Sequence, residues 1–308
     1  MNDKNQIIWL VLVALVATVA LALGSDPASA HLVEPESGIY LPAFMSVQEP
    51  GGKPPAPSRP QISVTAIITG ATPQHLAEAV GIQASDIISA SLNGSDARAF
   101  GIGTRPLGRY FPTKGNTFAV LSTGLAESAE WPNNEENLSF VLDSLDNSQG
   151  NDLVQFALQL RVPANMNCAS FEFAFYSEEF PEFVGSRFND TFTAELGGTN
   201  LIISGTEVIA PLNFAFDTEG NPISINTVFG VTSSTGSTYD GVTPLLQAQT
   251  PINPGAVTMI VFSVQDLGDS IYDSAVFLDN FAWSDDPDCR QGTVMTHRLF
   301  LPIVLKDY

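Results

Sequence analysis

Apolar and polar residues alternate strictly from Phe171 onward, with Phe171, Phe173 and Phe175 on one face and Glu172, Ala174 and Tyr176 on the other. A period of two marks a half-buried β-strand. The strand runs into Ser177, Glu178 and Glu179, and Pro181, which cannot donate to a ladder, ends the pairing. Alternation resumes at Phe192, Ala194 and Leu196. Other strand-like runs fall at residues 86–92, 118–124, 154–161, 201–203, 224–231, 258–264 and 275–283. Gly, Pro, Asn and Asp punctuate them at the spacing of a sandwich or jelly roll. One helix is predicted over residues 73–80, capped by Thr72, with Pro73 in its first turn and Gly81 as its stop. His75 lies on this helix in a surface or packing role. No longer run has the 3.6 period that βαβ units require. The predicted fold is all-β: an antiparallel β-sandwich of jelly-roll type with one short N-terminal helix.

The ends of the chain follow other patterns. Lys4 precedes an apolar run of 17 residues at 7–23, then the small-residue signature Ala28, Ser29, Ala30. This predicts a secretory signal peptide over 1–30, with an uncleaved membrane anchor as the competing reading. No second apolar segment is long enough to span a bilayer, so no transmembrane span is expected after cleavage. Residues 31–61, dense in Pro and Gly, read as a semi-rigid linker. Residues 62–286 are then the β domain and 287–308 a C-terminal tail. Tyr40-Leu41-Pro42 in the linker is echoed by Phe300-Leu301-Pro302 in the tail.

Charge narrows the partners. The chain of 308 residues carries 12 Lys+Arg against 33 Asp+Glu, a formal net charge of −21. Nucleic acid is excluded as a partner, because phosphate binding needs clustered basic residues. The carboxylate excess fits solubility outside the cell, divalent cation binding, or both. In an oxidising compartment Cys168 and Cys289, which flank two candidate neighbouring strands, are predicted to form a disulfide; two free thiols are the alternative.

The chemistry is concentrated in oxygen-bearing turns. Glu178, Glu179, Asn189 and Asp190 flank one turn, Asp240 sits before a glycine, and Asp266, Asp269, Asp273 and Asp279 crowd a short span. Such a set supplies the six to eight oxygens that calcium takes, and these nine residues are the predicted Ca2+ ligands. Their spacing is not that of an EF-hand loop. The competing reading is that the acids cap turns and bond backbone amides. Asp279 interrupts an apolar face, where a charge needs a metal, a partner or a sheet edge.

His31, His75 and His297 are the only histidines, and none lies between Gly81 and Trp283. A Ser-His-Asp triad or a His-ligated zinc is therefore poorly supported, and no catalytic residues are assigned. Glu178 and Glu179 point to opposite faces of a strand, so Glu179 with Asp190 or Asp269 is the better carboxylate pair for a glycan hydrolase. Tyr176, Phe180, Phe183, Trp131 and Tyr239 lie in or beside turns where exposed rings would stack on sugars. Core packing is the expected fate of most of them, and Trp131 and Tyr239, set among polar residues, are the expected exposed pair.

With these residues laid out, the chain resembles the choice-of-anchor L family of secreted bacterial domains over roughly residues 65–283. The most specific piece is FYSEEFPEFVGS (175–186) followed by FND (188–190), supported by LSTG (121–124), YDGVT (239–243) and DSAVFL (273–278). The resemblance implies a secreted or surface-attached β domain and assigns no catalytic residues. The end of the sequence, HRLFLPIVLKDY (297–308), has no LPxTG-like sorting signal, which leaves the anchor open. The expected function is a secreted or cell-surface, calcium-stabilised binding or adhesion module with an extracellular glycan or cell-surface protein as partner. A carboxylate-based glycan hydrolase and a purely structural envelope protein are the alternatives.

Overall fold

The computed structural model describes residues 66–93, 96–130, 151–204, 207–267 and 272–296. The expected signal segment, the linker, Trp131, Asp269 and residues 297–308 lie outside the described residues. Fifteen strands are described in chain order. They begin with β1 (Ile67–Thr69), β2 (Ile87–Asn93), β3 (Phe100–Gly103), β4 (Phe118–Ser122), β5 (Asn151–Arg161), β6 (Cys168–Ser177) and β7 (Thr191–Leu196). Next come β8 (Ile202–Ser204), β9 (Glu207–Ile209), β10 (Ile223–Ser224), β11 (Gly241–Val242) and β12 (Leu246–Pro251). The last three are β13 (Val257–Asp266), β14 (Ser274–Ser284) and β15 (Gly292–Met295). One α-helix, α1 (Pro73–Val80), lies between β1 and β2.

Helix α1 forms for the reasons its sequence gives. The Thr72 hydroxyl accepts from the His75 amide, and Gly81 closes the helix in the left-handed conformation at φ 103°. A side chain at Gly81 would also meet the Phe281 backbone nitrogen at 3.3 Å, so the glycine permits both the turn and the close approach of β14. Leu76, Ala77, Ala79 and Val80 face inward.

Every strand pairing is antiparallel. One sheet runs β1-β3-β4-β14-β6-β12-β15, with β11 also on β6; a second runs β10-β7-β13-β5-β2; β8 and β9 form a separate hairpin. The two larger sheets pack face to face through phenylalanines. Phe171 of β6 meets Phe262 of β13 at 5.0 Å between centroids, and Phe173 meets Phe192 of β7 at 4.9 Å. Such edge-to-face and tilted pairs add about 0.5–1.5 kcal/mol each beyond the apolar area they bury. The architecture is an antiparallel β-sandwich, compatible with a jelly roll.

Three sequence expectations change. Strand β6 is buried on both faces, because a second apolar cluster covers the outer side of its sheet. There Ala174 and Tyr176 pack with Phe111, Phe118, Phe277 and Tyr239, under the segments that carry Phe111 and Tyr239. Tyr239 is accordingly buried at 2% exposure, the reverse of the exposed ring expected from its polar neighbours. Residues 224–231 form turns beyond Ser224 instead of a strand. The Thr227 amide bonds Ser224 O, Gly230 bonds Thr227 O, and the Asp217 carboxylate takes the Val228 amide. Conversely β12 pairs with both β6 and β15 although its sequence, LQAQTP, carries only a faint alternation.

The predicted disulfide is present between Cys168 and Cys289, with Cα atoms 5.9 Å apart. Cys168 opens β6 opposite Ser284 at the end of β14, so neighbouring strands bring the two sulfurs together.

Candidate functional site

The acidic turn sits where β6 ends. Ser177, its last residue, pairs with Gly241 of β11 on one side and with Ser274 of β14 on the other. Beyond it the chain turns: the Ser177 hydroxyl accepts from the Glu179 amide, and Glu179 O accepts from the Phe183 amide. The Glu178 amide donates to Asp273 O at 3.0 Å, which fixes the turn against the start of β14.

Burial follows from this anchoring. Glu178, Glu179, Asp190 and Asp273 are 4%, 3%, 0% and 0% exposed. The Glu179 carboxylate accepts the Asp190 amide, and Asp190 Oδ1 accepts the Leu267 amide at 2.9 Å. Asp190 Oδ2 is buried without a hydrogen-bond partner among the described residues. Asp273 Oδ1 accepts from the Thr123 hydroxyl, which in turn accepts the Ser274 amide. Burial pushes the Asp190 carboxyl well above the usual carboxylate range. The nearby Glu179 and Asp273 charges push it further, while the Ser274 hydroxyl and Leu267 amide pull the other way.

The frame extends to the end of β4. Ser122 Oγ lies 3.2 Å from the Tyr239 hydroxyl and accepts the Gly124 amide. Burial raises the Tyr239 phenol, the Ser122 contact opposes that, and Asp273 and Glu178 raise it again. Sequence reasoning did not single out Ser122, Thr123 or Ser274 as site residues. Their signal was present as short motifs: residues 121–124, 175–186, 188–190, 239–243 and 273–278 are distant in sequence and meet here.

That convergence agrees with the match of residues 63–283 to the family model of the Choice-of-anchor L domain. The chain belongs to the choice-of-anchor L family. No curated protein shows significant similarity to it. Among solved structures, this choice-of-anchor L domain is similar to TmCBM61, determined with β-1,4-galactotriose. Identity there is 10% and the TM-score 0.27, covering 65% of this chain and 91% of that one. It is also similar to TmCBM27, a mannan-recognising carbohydrate-binding module, at 12% identity and a TM-score of 0.30, covering 70% and 94%. The enzymatically active domain of a bacteriophage CBA120 tailspike matches at 10% identity and a TM-score of 0.25, covering 63% and 19%. Scores this low transfer neither ligand nor site.

Within the choice-of-anchor L domain the nine predicted ligands do not all meet. Glu178, Glu179, Asp190 and Asp273 come together, and Asp266 is buried beside Leu267, whose amide bonds Asp190. Asp240 is exposed on the loop before β11. The Asn189 side chain turns away and accepts from Asn226 Nδ2 at 2.8 Å. Asp279 lies five positions along β14 from Ser274, about 17 Å at strand rise. Its carboxylate accepts the amides of Thr113, Lys114 and Asn280. Burial raises its pKa and those amides lower it. The partner that this interrupting charge needs is thus a loop backbone, held over the outer face of the sheet. Among the described residues, no three acidic, histidine or cysteine side chains already stand in ligating geometry. Nor is any described helix long and apolar enough to cross a membrane.

Proposed function

We propose that the chain is a secreted or cell-surface binding module whose acidic turn takes up calcium. The observation that carries this reading is the buried Asp190 Oδ2, which has no hydrogen-bond partner among the described residues and belongs to a carboxyl that feels the charges of Glu179 and Asp273. Buried like charges must be protonated or compensated by a cation, and calcium accepts carboxylate and carbonyl oxygens in irregular loops. Glu179, Asp190 and Asp273 are the proposed carboxylate ligands. Uptake requires their side chains to rotate toward one another from the hydrogen bonds they make in this structure. The family implies a secreted or surface-attached β domain; the binding role is itself part of the proposal, and the ion's part in it is to hold the turn.

The same burial weighs against a glycan hydrolase. Carboxylates 0–4% exposed do not reach a sugar ring, whereas a cation needs no exposed surface of that size. Thermal melting of the purified chain in calcium and in chelator tests the proposal. A ligand that binds only the folded state stabilises by about 2.7 kcal/mol at a hundredfold excess over Kd. For a domain of this size that is a rise of roughly 5–10 °C. Coincident melts would sink the calcium reading and leave the acids as turn caps.

A further inference from the structure

The outer side of the β7–β10 edge carries a feature that the acidic turn does not use. Three hollows of about 180, 410 and 610 Å³ run into one another there. The first and second share Glu207, Val208, Asn221 and Pro222, and the second and third share Phe216, Gly220 and Gln291. The result is one continuous groove, and volumes of a few hundred Å³ are those of small-molecule sites.

Part of its lining is apolar. Phe216, half-buried, is bridged to Pro222 as in a strand pair, and Val208 lies alongside. Its rim is built from amides and carboxylates: Asn189, Asn221, Glu207 and Gln291. The frame beneath is fixed by two buried polar side chains. Asn213 Oδ1 accepts the amides of Ala194 and Ala215, while its Nδ2 donates to Ala215 O. Asp217 Oδ1 accepts the amides of Glu219 and Asn221 and so presents that turn to the groove. Gln291 Nε2 donates to Asn213 O at 2.9 Å and ties the far wall to the same frame. At the other end Asn226 bonds both Asn189 and the Gly185 amide, which closes the groove against the acidic loop.

We propose that this groove binds an uncharged oligosaccharide. A sugar ring has an apolar C–H face and a belt of hydroxyls that both donate and accept. The partly exposed phenyl ring of Phe216 serves the first. Primary amides, each with two donors and an acceptor oxygen, serve the second, and Glu207 adds acceptors. Charge selects among sugars: Glu207, Asp217, Glu219 and Asp288 outnumber the single Arg290 on the lining, which repels uronates and sulfated chains. The proposal names a ligand class for the binding module above, and rests on that reading but not on the calcium ion.

The test is calorimetric titration of the purified chain with cello-, manno-, xylo- and galacto-tetraose, beside an alginate tetramer and a neutral peptide as controls. At least one uncharged tetrasaccharide is expected to saturate with a Kd between micromolar and millimolar. Phe216→Ala and, at an exposed position that does not threaten folding, Asn221→Ala should each weaken it by about tenfold or more. Failure of every uncharged sugar to bind at about 10 mM overturns the proposal. Unchanged affinity in both variants, or preference for alginate or the peptide, does so too. The calcium melting shift, read on the same sample, separates the two ideas. A shift without sugar binding removes the groove alone, and sugar binding without a shift removes the ion alone.

Discussion

At the scale of single residues, Asp190 and Asp279 show how two acids from one predicted set diverge once their neighbours are known. Both are buried and both have pKa values raised first by desolvation. Asp279 is answered by three backbone amides, whereas Asp190 keeps one oxygen unanswered. Removing the Asp279 carboxylate strands those amides, so Asp279→Ala should cost about 1–3 kcal/mol while leaving the calcium response intact. Chemical denaturation with and without calcium checks both halves. For Asp190 the folded pKa lies above the unfolded one. Its penalty is absent below the ordinary carboxylate range, near pH 4, and grows as pH rises through that range toward the folded pKa. In chelator, then, Asp190 should destabilise the neutral protein relative to the mildly acidic one. Asp190→Asn keeps the acceptor for Leu267 and offers donors to Glu179 and Asp273. It is expected to raise the melting temperature in chelator at pH 7, to flatten this limb of the pH profile and to abolish the calcium shift. A lower melting temperature in chelator would show that the charge is already compensated. None of this distinction was legible in the sequence, because Asp in a turn and Asp beside a cation have the same local pattern.

At the scale of elements, local signals succeeded where a segment's own residues determine its state. Helix α1 appears at the residues its caps mark, since Thr72 and Gly81 act within a turn of themselves. Thr72→Ala should cost about 1 kcal/mol through the lost cap, measurable as a shift in denaturation midpoint without a change in slope. Strands β6 and β7 were legible from aromatic alternation. Strand β12 was not, because it is recruited between β6 and β15 by partners far away in sequence. Residues 225–231 failed the other way: β-branched and aromatic residues there read as strand, yet Asp217 withdraws the Val228 amide from any ladder. The outer cover of β6 was also hidden, since a period of two shows that faces differ and says nothing of what loops later cover them.

At the scale of the whole molecule, β6 links two supports that act at opposite ends. Cys168 opens the strand and is tied to Cys289, 121 residues away; Ser177 closes it at the acidic turn. Nine residue steps along the strand separate them by about 30 Å, beyond the range of direct coupling. In the chain-entropy model a loop of that length makes the disulfide worth on the order of 4–5 kcal/mol, through the unfolded state. Calcium bound as proposed would instead act on the folded state, by relieving repulsion among carboxylates. Two mechanisms on different states and at distant sites should add. Cys168→Ser with Cys289→Ser should lower stability by about 4–5 kcal/mol. The calcium shift should persist in that variant to within about 0.5 kcal/mol of its value in the parent chain. A denaturant cycle of the four conditions, oxidised or Ser-substituted and with calcium or chelator, measures the coupling directly. If the calcium shift collapses with the disulfide, the two ends of β6 open as one unit. The turn would then owe its geometry to the bridge rather than to the hydrogen bonds around Ser177, Thr123 and Asp273.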